Sequence, residues 1–217
     1  MAKYTDLDEA LTNPQDVTIL DLSDSELNEL PSEIGQLTNL THLDLSYNDL
    51  EECLPSEIGQ LTNLTHLDLS DNNLDELPSE IGQLTNLTQL NLYDAFSIMP
   101  IELPSEIGQL TNLTHLDLSY NEELCEGGLS AEILELTNLT KLDLSGNNLF
   151  TLPAEIGQLT NLTSLSLRGC ELIELPSEIG QLTNLTSLDL SANSLNDEDI
   201  ERIKVKLSDC NIKVDDE

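Results

Sequence analysis

The sequence predicts an α/β fold of one kind: a curved solenoid, shaped like a horseshoe, with a parallel β-sheet on its concave face and short helical turns on its convex face. Three observations predict it. A twelve-residue string, Leu-Pro-Ser-Glu-Ile-Gly-Gln-Leu-Thr-Asn-Leu-Thr, recurs from Leu30, Leu54, Leu77, Leu103 and Leu175, with a close variant from Leu152 and a divergent one from Leu129. Between the copies runs Leu-x-x-Leu-x-Leu-x-x-Asn-x-Leu, as from Leu40 to Leu50. The units open at Val17, Leu40, Leu64, Leu87, Leu113, Leu139, Leu162 and Leu185, always 23 to 26 residues apart. A fixed period of that size is a stack of units, none of which can bury its apolar face alone.

Each element follows from its residues. Thr5 to Leu11 reads as a helix that covers the first unit, with Thr5 and Asp8 as a capping box and Leu7, Ala10 and Leu11 facing the core. Asn13-Pro14 stops it. In Leu40-Thr41-His42-Leu43-Asp44-Leu45 the alternation is that of a strand, with Leu43 and Leu45 inward. Successive strands are expected about 4.8 Å apart. A corner column follows: Ser25, Asn48, Asn72, Ala95, Asn121, Asn147, Cys170, Asn193. A buried Asn there satisfies loop backbone groups, and Ala95 has no amide with which to do so, so a break is expected at that unit. Ser-Glu-Ile-Gly-Gln-Leu then forms a helical turn, with Pro31 at its start, Ser32 as N-cap, and Ile34 and Leu37 facing the core. After Leu195 the signature ends. Asp197 to Leu207 reads as an amphipathic helix with Ile200, Ile203 and Leu207 inward, and Cys210 to Val214 as a last edge strand. The expected organisation is therefore an N-terminal helical cap (1–16), eight repeats (17–195) and a C-terminal helix and strand cap (196–217).

These residues resemble the leucine-rich-repeat family over 17 to about 195. The Leu-Pro-x-x-Ile-Gly-x-Leu element is similar to bacterial repeat proteins and to intracellular signalling proteins that share this repeat class. The stretch Ala10 to Val17 is similar to repeat proteins of spirochaetes and other bacteria. Those relatives are usually rich in lysine, and this chain is not. The resemblance implies a module that binds other proteins.

Strand residues that do not point inward form columns on the concave face. The third position reads Ile19, His42, His66, Gln89, His115, Lys141, Ser164, Ser187; the fifth reads Asp21, Asp44, Asp68, Asn91, Asp117, Asp143, Ser166, Asp189. The seventh and eighth positions bring Tyr47, Asp71, Tyr93, Asp94, Tyr120 and Arg168 towards the edge. Repeats four and five each carry three extra residues after the strand, giving 93–101 and 120–128, which are expected to build one bulge. Tyr47, Asp71, Tyr93, Asp94, Met99, Tyr120, Lys141 and Arg168 are the candidate partner-binding residues, because exposed aromatic and Arg side chains make good anchors. Phe96 and Ile98 are expected to fold inward instead.

All three histidines share one column beside the aspartates. His42, His66, Asp44 and Asp68 form a candidate metal set, because imidazole and carboxylate suit zinc or another transition metal. Without a metal, laddered carboxylates repel, and neighbouring His is expected to take up protons in part.

Charge narrows the function classes. Acidic residues number 42 against 7 Lys and Arg, for a formal charge of −35. Residues 4–140 contain no Lys or Arg. That balance excludes a nucleic-acid reader and argues against docking on anionic membranes. No apolar run has the length of a membrane span, and residues 1–10 have no signal-peptide core. The cysteines, Cys53, Cys125, Cys170 and Cys210, lie in different repeats. Cys53 and Cys125 fall beyond disulfide reach, and Cys170 with Cys210 is doubtful, so no disulfide is expected. With those thiols a cytoplasmic place is expected, or an extracellular one only if residues precede Met1. No phosphate loop, nucleophile elbow or zinc-protease motif occurs, so no enzyme and no cofactor are expected. The expected function is a monomeric, non-catalytic module. It would hold a protein partner, a basic one if charge complementarity selects it, on the concave face and the 93–101/120–128 bulge. Two alternatives stand beside it: a metal-dependent adhesion surface using the His and Asp columns, and a structural fragment of a larger signalling protein.

Overall fold

The computed structural model describes residues 2–51, 53–96, 102–121 and 129–215. Ten strands form one parallel sheet in strict chain order. They are β1 (Ala2–Tyr4), β2 (Val17–Asp21), β3 (His42–Asp44), β4 (His66–Asp68), β5 (Gln89–Asn91), β6 (His115–Asp117), β7 (Lys141–Asp143), β8 (Ser164–Ser166), β9 (Ser187–Asp189) and β10 (Asn211–Lys213). Like positions pair throughout, His42 with His66, Leu43 with Leu67 and Asp44 with Asp68. The register follows from the buried leucine at each strand centre, because a slip by one residue would carry it to solvent.

Six convex turns are five-residue 3-10 helices, from Ser32–Gln36 to Ser177–Gln181. Three residues per turn place Ile34 directly over Leu37, and both are fully buried. Ser32 is not the N-cap. Pro31 holds that place, no side chain caps the turn, and the Ser32 hydroxyl donates to Glu33 instead. With Pro31 at the cap, Ser32 is already the first residue of the turn. Glycine is required by close stacking. A Cβ at Gly82 would lie 2.7 Å from the Glu106 backbone oxygen. In the divergent repeat Leu134 replaces that glycine, and the turn becomes α-helix α2 (Ala131–Leu134). Its neighbour Gly108 has more room, since a Cβ there would stand 3.6 Å from the Glu132 backbone oxygen.

The ends differ in part from expectation. Helix α1 (Leu7–Thr12) is capped by Asp6, whose carboxylate accepts the Glu9 N–H at 2.8 Å. The Thr5–Asp8 capping box does not form, because the helix begins one residue later than Thr5 requires. Strand β1 precedes the helix and lengthens the sheet beyond the first repeat. At the far end α3 (Asp197–Lys206) is capped by Asn196, and Ile203 and Leu207 are buried while Ile200 is partly exposed.

Three hydrogen-bond ladders tie the repeats together. In the corner ladder Asn147 donates to the Leu118 and Leu144 carbonyls and accepts the Asn121 N–H. Cys170 takes the same place, with its Sγ 3.0 Å from the Leu144 carbonyl oxygen. At Ala95 the amide is missing, and the Asn72 N–H donates to the Asp94 carbonyl instead. A backbone bridge between Leu74 and Phe96 closes the same gap, and Phe96 packs on the core as expected. The other two ladders account for the recurring Thr-Asn-Leu-Thr. Asn63, Asn86, Asn112, Asn138, Asn161 and Asn184 each donate to a backbone carbonyl of the preceding repeat, and Asn39 donates to the Gln15 carbonyl of the N-terminal cap. Thr41 and its equivalents donate their hydroxyl to the preceding Thr carbonyl. No described helix is long and apolar enough to cross a membrane. Among the described cysteines, Cys53, Cys170 and Cys210 form no disulfide, and Cys125 lies outside the described residues.

Candidate functional site: the concave face and its tyrosine edge

The fifth-position carboxylates form a ladder along the sheet. Asp44, Asp68, Asp117, Asp143 and Asp189 each accept, on Oδ1, both the N–H and the hydroxyl of the serine two residues on. That internal bond sets the carboxylate's orientation before any partner arrives. The ladder is closed at both ends by lysines that sequence reasoning missed. Lys3 on β1 meets Asp21 at 2.9 Å, and Lys213 on β10 meets Asp189 at 3.4 Å. The Lys3 bond, joined by Ser23, holds the Asp21 carboxyl below its ordinary range. At Asp189 burial pushes upward, and the bonds from Ser191 and Lys213 outweigh it. Asp117, inside the ladder, is pushed up by burial and by Asp143 and Asp68, against the Ser119 bonds. The signal for the end lysines was their spacing: Lys3 and Lys213 both lie in strand-like triplets outside the repeats.

The histidines are ordered by the threonine ladder. The Thr41 hydroxyl has one hydrogen and gives it to the Thr18 carbonyl at 2.8 Å. The 2.9 Å contact of the same oxygen with His42 Nδ1 therefore requires Nδ1–H to be the donor. The same argument fixes His66 through Thr65 and His115 through Thr114. All three rings carry hydrogen on Nδ1 and, when neutral, a lone pair on Nε2. His42 and His66 stack with centroids 4.1 Å apart and planes 10° apart. Burial lowers the pKa of His66, helped by His42 and His115, and lowers that of His115, helped by Lys141. Both shifts run against the proton uptake expected beside the aspartates, with burial as the largest cause. The metal set does not converge. Asp68 Oδ2 is taken by the Asn91 amide. Among the described residues no group of three or more His, Cys, Asp or Glu side chains is placed to enclose an ion.

At the edge the chain leaves each strand through a left-handed residue. Asp24, Tyr47, Asp71, Asp94, Tyr120, Gly146, Gly169 and Ala192 all have φ between +43° and +68°. Glycine suits that place, and tyrosine does not, so Tyr47 and Tyr120 hold a costly conformation in exchange for exposure. They are 63% and 50% exposed. Tyr93 packs on Tyr120 with ring centroids 5.3 Å apart at 55°. Tyr120 in turn lies over Gly146, where a Cβ would sit 3.0 Å from its ring. The Tyr47 hydroxyl bonds Asp71, which burial and Asp94 push towards higher pKa. Loss of solvent, then Asp71 and Asp94, raise the Tyr93 phenol.

Five of the expected residues, Tyr47, Asp71, Tyr93, Asp94 and Tyr120, thus meet in one aromatic and acidic cluster over four repeats. Arg168 is exposed further along the same edge. Lys141 stands apart, in the groove, beside His115 in a depression of about 270 Å³. A second depression, of about 330 Å³, is lined by Lys3, Asp21, His42, Asp44, His66 and Asp68, among others. Met99 and the greater part of the 93–101 and 120–128 bulge lie outside the described residues.

Comparison with known proteins agrees with the solenoid fold. Internalin C2 of Listeria monocytogenes matches with a TM-score of 0.77 at 22% identity, over 94% of this chain and 84% of that one. The plant peptide hormone receptor RGFR1, solved in complex with RGF2, matches with a TM-score of 0.70 at 34% identity, over 92% of this chain. A TDR receptor matches with a TM-score of 0.74 at 31% identity, over 98% of this chain. The chain spans 35% and 37% of those two receptor chains. No curated protein matches. A family model for the leucine-rich repeat region matches residues 17–127, and models for single leucine-rich repeats match 138–159, 161–182 and 181–204. With that match over half its length, and with the strands, turns and ladders above, the chain belongs to the leucine-rich-repeat family.

Proposed function

We propose that this chain is a non-catalytic protein-binding module that holds a basic, extended segment of a protein partner. The segment would lie along the concave face and be anchored at the tyrosine edge. One observation carries the reading: the cluster of Tyr47, Asp71, Tyr93, Asp94 and Tyr120, in which π faces and carboxylates stand side by side at the rim of an acidic groove. A Lys or Arg side chain placed there gains both a carboxylate and an aromatic face. Its charge would also offset the burial and the Asp94 repulsion that together raise Asp71. A peptide hormone receptor of the same repeat family, solved with its ligand, supports a peptide as the kind of partner. An open sheet face supports binding over catalysis.

The test is affinity capture from a lysate of the source organism. Wild type is compared with the triple variant Tyr47→Ala, Tyr93→Ala, Arg168→Ala, and with Tyr120→Ala. A protein held by wild type, released by rising salt and lost in the variants agrees with the reading. Equal capture by all variants refutes the tyrosine edge as the anchor.

A further inference from the structure

A basic partner leaves Arg168 without a role. We propose that Arg168 takes a carboxylate of the bound segment, so that the edge is a two-ended clamp. One end, the tyrosine cluster, holds a Lys or Arg of the partner, and the other holds a carboxylate about four residues away along the segment. The clamp rests on the protein-binding reading above and adds the second half of the motif that the face recognises.

With 42 acidic residues against 7 Lys and Arg, a cation without a carboxylate is the exception in this chain. Lys3, Arg202, Lys204 and Lys213 form ion pairs, and Lys206 donates to the Ser177 carbonyl. Among the described residues Lys141 and Arg168 form no ion pair, and both are exposed. Lys141 opens β7, whereas Arg168 follows the end of β8, so Arg168 alone shares the edge with the tyrosines. Its surroundings lack acids. The fifth-position column holds Asp or Asn in every repeat except this one, where Ser166 stands. Asp143 and Asp189, one repeat to either side, accept Ser145 and Ser191, and Asp189 also meets Lys213. In the left-handed column Asp71, Asp94 and Tyr120 give way to Gly146, Gly169 and Ala192. Small residues thus leave the guanidinium open, and its planar fork matches a carboxylate. The spacing follows from the register. Tyr93 and Arg168 occupy the same seventh position three repeats apart. Backbone bonds from Asp94 to Ser119, from Tyr120 to Ser145 and from Gly146 to Arg168 keep the repeats in step there. At about 4.8 Å per strand the two positions lie roughly 14 Å apart, which an extended segment crosses in about four residues. Between them the column holds only Ser119 and Ser145, both buried, so no charge interrupts the path.

Fluorescent Gly/Ser peptides, capped at both ends, are titrated with the full chain at low salt and followed by anisotropy. The reference peptide carries a single Arg. Others add Glu two, four or seven residues from it, on either side, and one uncapped peptide ends in a free carboxylate four residues after the Arg. Net charge alone predicts that any added carboxylate weakens binding to a chain of −35. The clamp predicts the opposite at one spacing: a carboxylate four residues away tightens binding roughly threefold over the reference, while Glu two or seven residues away does not. Arg168→Gln, checked by circular dichroism and melting, should remove the gain. A gain with Glu assigns Arg168 to an acidic side chain, and a gain with the free terminus alone assigns it to a chain end. No gain from either carboxylate, or a gain that survives Arg168→Gln, overturns the clamp. If the reference peptide still binds and is lost with Tyr93→Ala, the protein-binding reading stands without the clamp. No saturable binding of the reference peptide overturns the tyrosine cluster as a basic-residue site, and the clamp with it.

Discussion

Replacing Asn147 by Ala isolates what one rung of the corner ladder contributes. Asn147 is fully buried. Its amide donates to the Leu118 carbonyl at 3.0 Å and to the Leu144 carbonyl at 2.8 Å, and its Oδ1 accepts the Asn121 N–H at 3.0 Å. The three partners are not equally harmed by its loss. Leu118 keeps the Asn121 amide, and Leu144 keeps Cys170. Those two losses together amount to about 1 kcal/mol. The Asn121 N–H loses its acceptor, and a buried donor left alone costs about 1–3 kcal/mol. The sum is about 2–4 kcal/mol. Relief is limited by what Ala95 shows: there the Asn72 N–H reaches the Asp94 carbonyl, at 3.2 Å. If the Asn121 N–H turns in the same way to Gly146, the lower end of the range applies. Urea unfolding followed by far-ultraviolet circular dichroism measures it, since the chain has no tryptophan. A destabilisation below about 0.5 kcal/mol would refute the idea that side-chain amides, rather than leucine packing, carry this corner. A break in cooperativity at the fifth and sixth repeats would agree with it, because each repeat touches only its neighbours.

Other substitutions test the face. Gly146→Ala puts a Cβ at φ +68° and 3.0 Å from the Tyr120 ring, and should destabilise by about 1 kcal/mol or more. It should also weaken ring contacts between Tyr93 and Tyr120 in proton NMR; unchanged contacts would show that the glycine does not seat the ring. Asp117→Asn should stabilise the fold at neutral pH. The raised folded-state pKa of Asp117 means that the folded form holds its proton longer, so its charge costs stability once pH rises through the folded value. The gain should vanish in acid, below the unfolded carboxyl value, and a gain that persists there would point to packing instead. Lys3→Ala should cost less than about 1 kcal/mol, because the Lys3–Asp21 pair is half exposed. Asp21 has a depressed folded-state pKa, so that contribution is present above the unfolded value and fades as pH falls through the folded one. An equal loss at pH 7 and at pH 2 would argue for loss of β1 packing rather than of the ion pair.

The fold was legible in the residues because the information is local and repeated. The period from Val17 to Leu185 fixes one strand and one turn per unit, and identical units can pair only like with like. Phe96 and the break at Ala95 were legible for the same reason, as departures from a pattern. The errors fall where the pattern stops or where a single hydrogen decides. Thr5 and Asp6 are both good caps, and only the docking of α1 and β1 on the first repeat chooses Asp6. Ser32 has the chemistry of an N-cap, but Pro31 takes that place and Ser32 falls inside the turn, its hydroxyl on Glu33.

By itself, then, the sequence determined the solenoid, its strand register, its leucine core and the identity of the concave columns, because each depends on spacing along the chain. Only the tertiary structure decided how the columns interact. It brought Lys3 and Lys213 to the ends of the aspartate ladder, and it gathered Tyr47, Asp71, Tyr93, Asp94 and Tyr120 on left-handed turns. It also fixed the imidazole tautomers through threonines whose partners lie one repeat away. The physical reason is common to all three. Each rests on a contact between residues of neighbouring strands, set by the distance between those strands and by the direction of a donor, and neither quantity is written in the order of the residues.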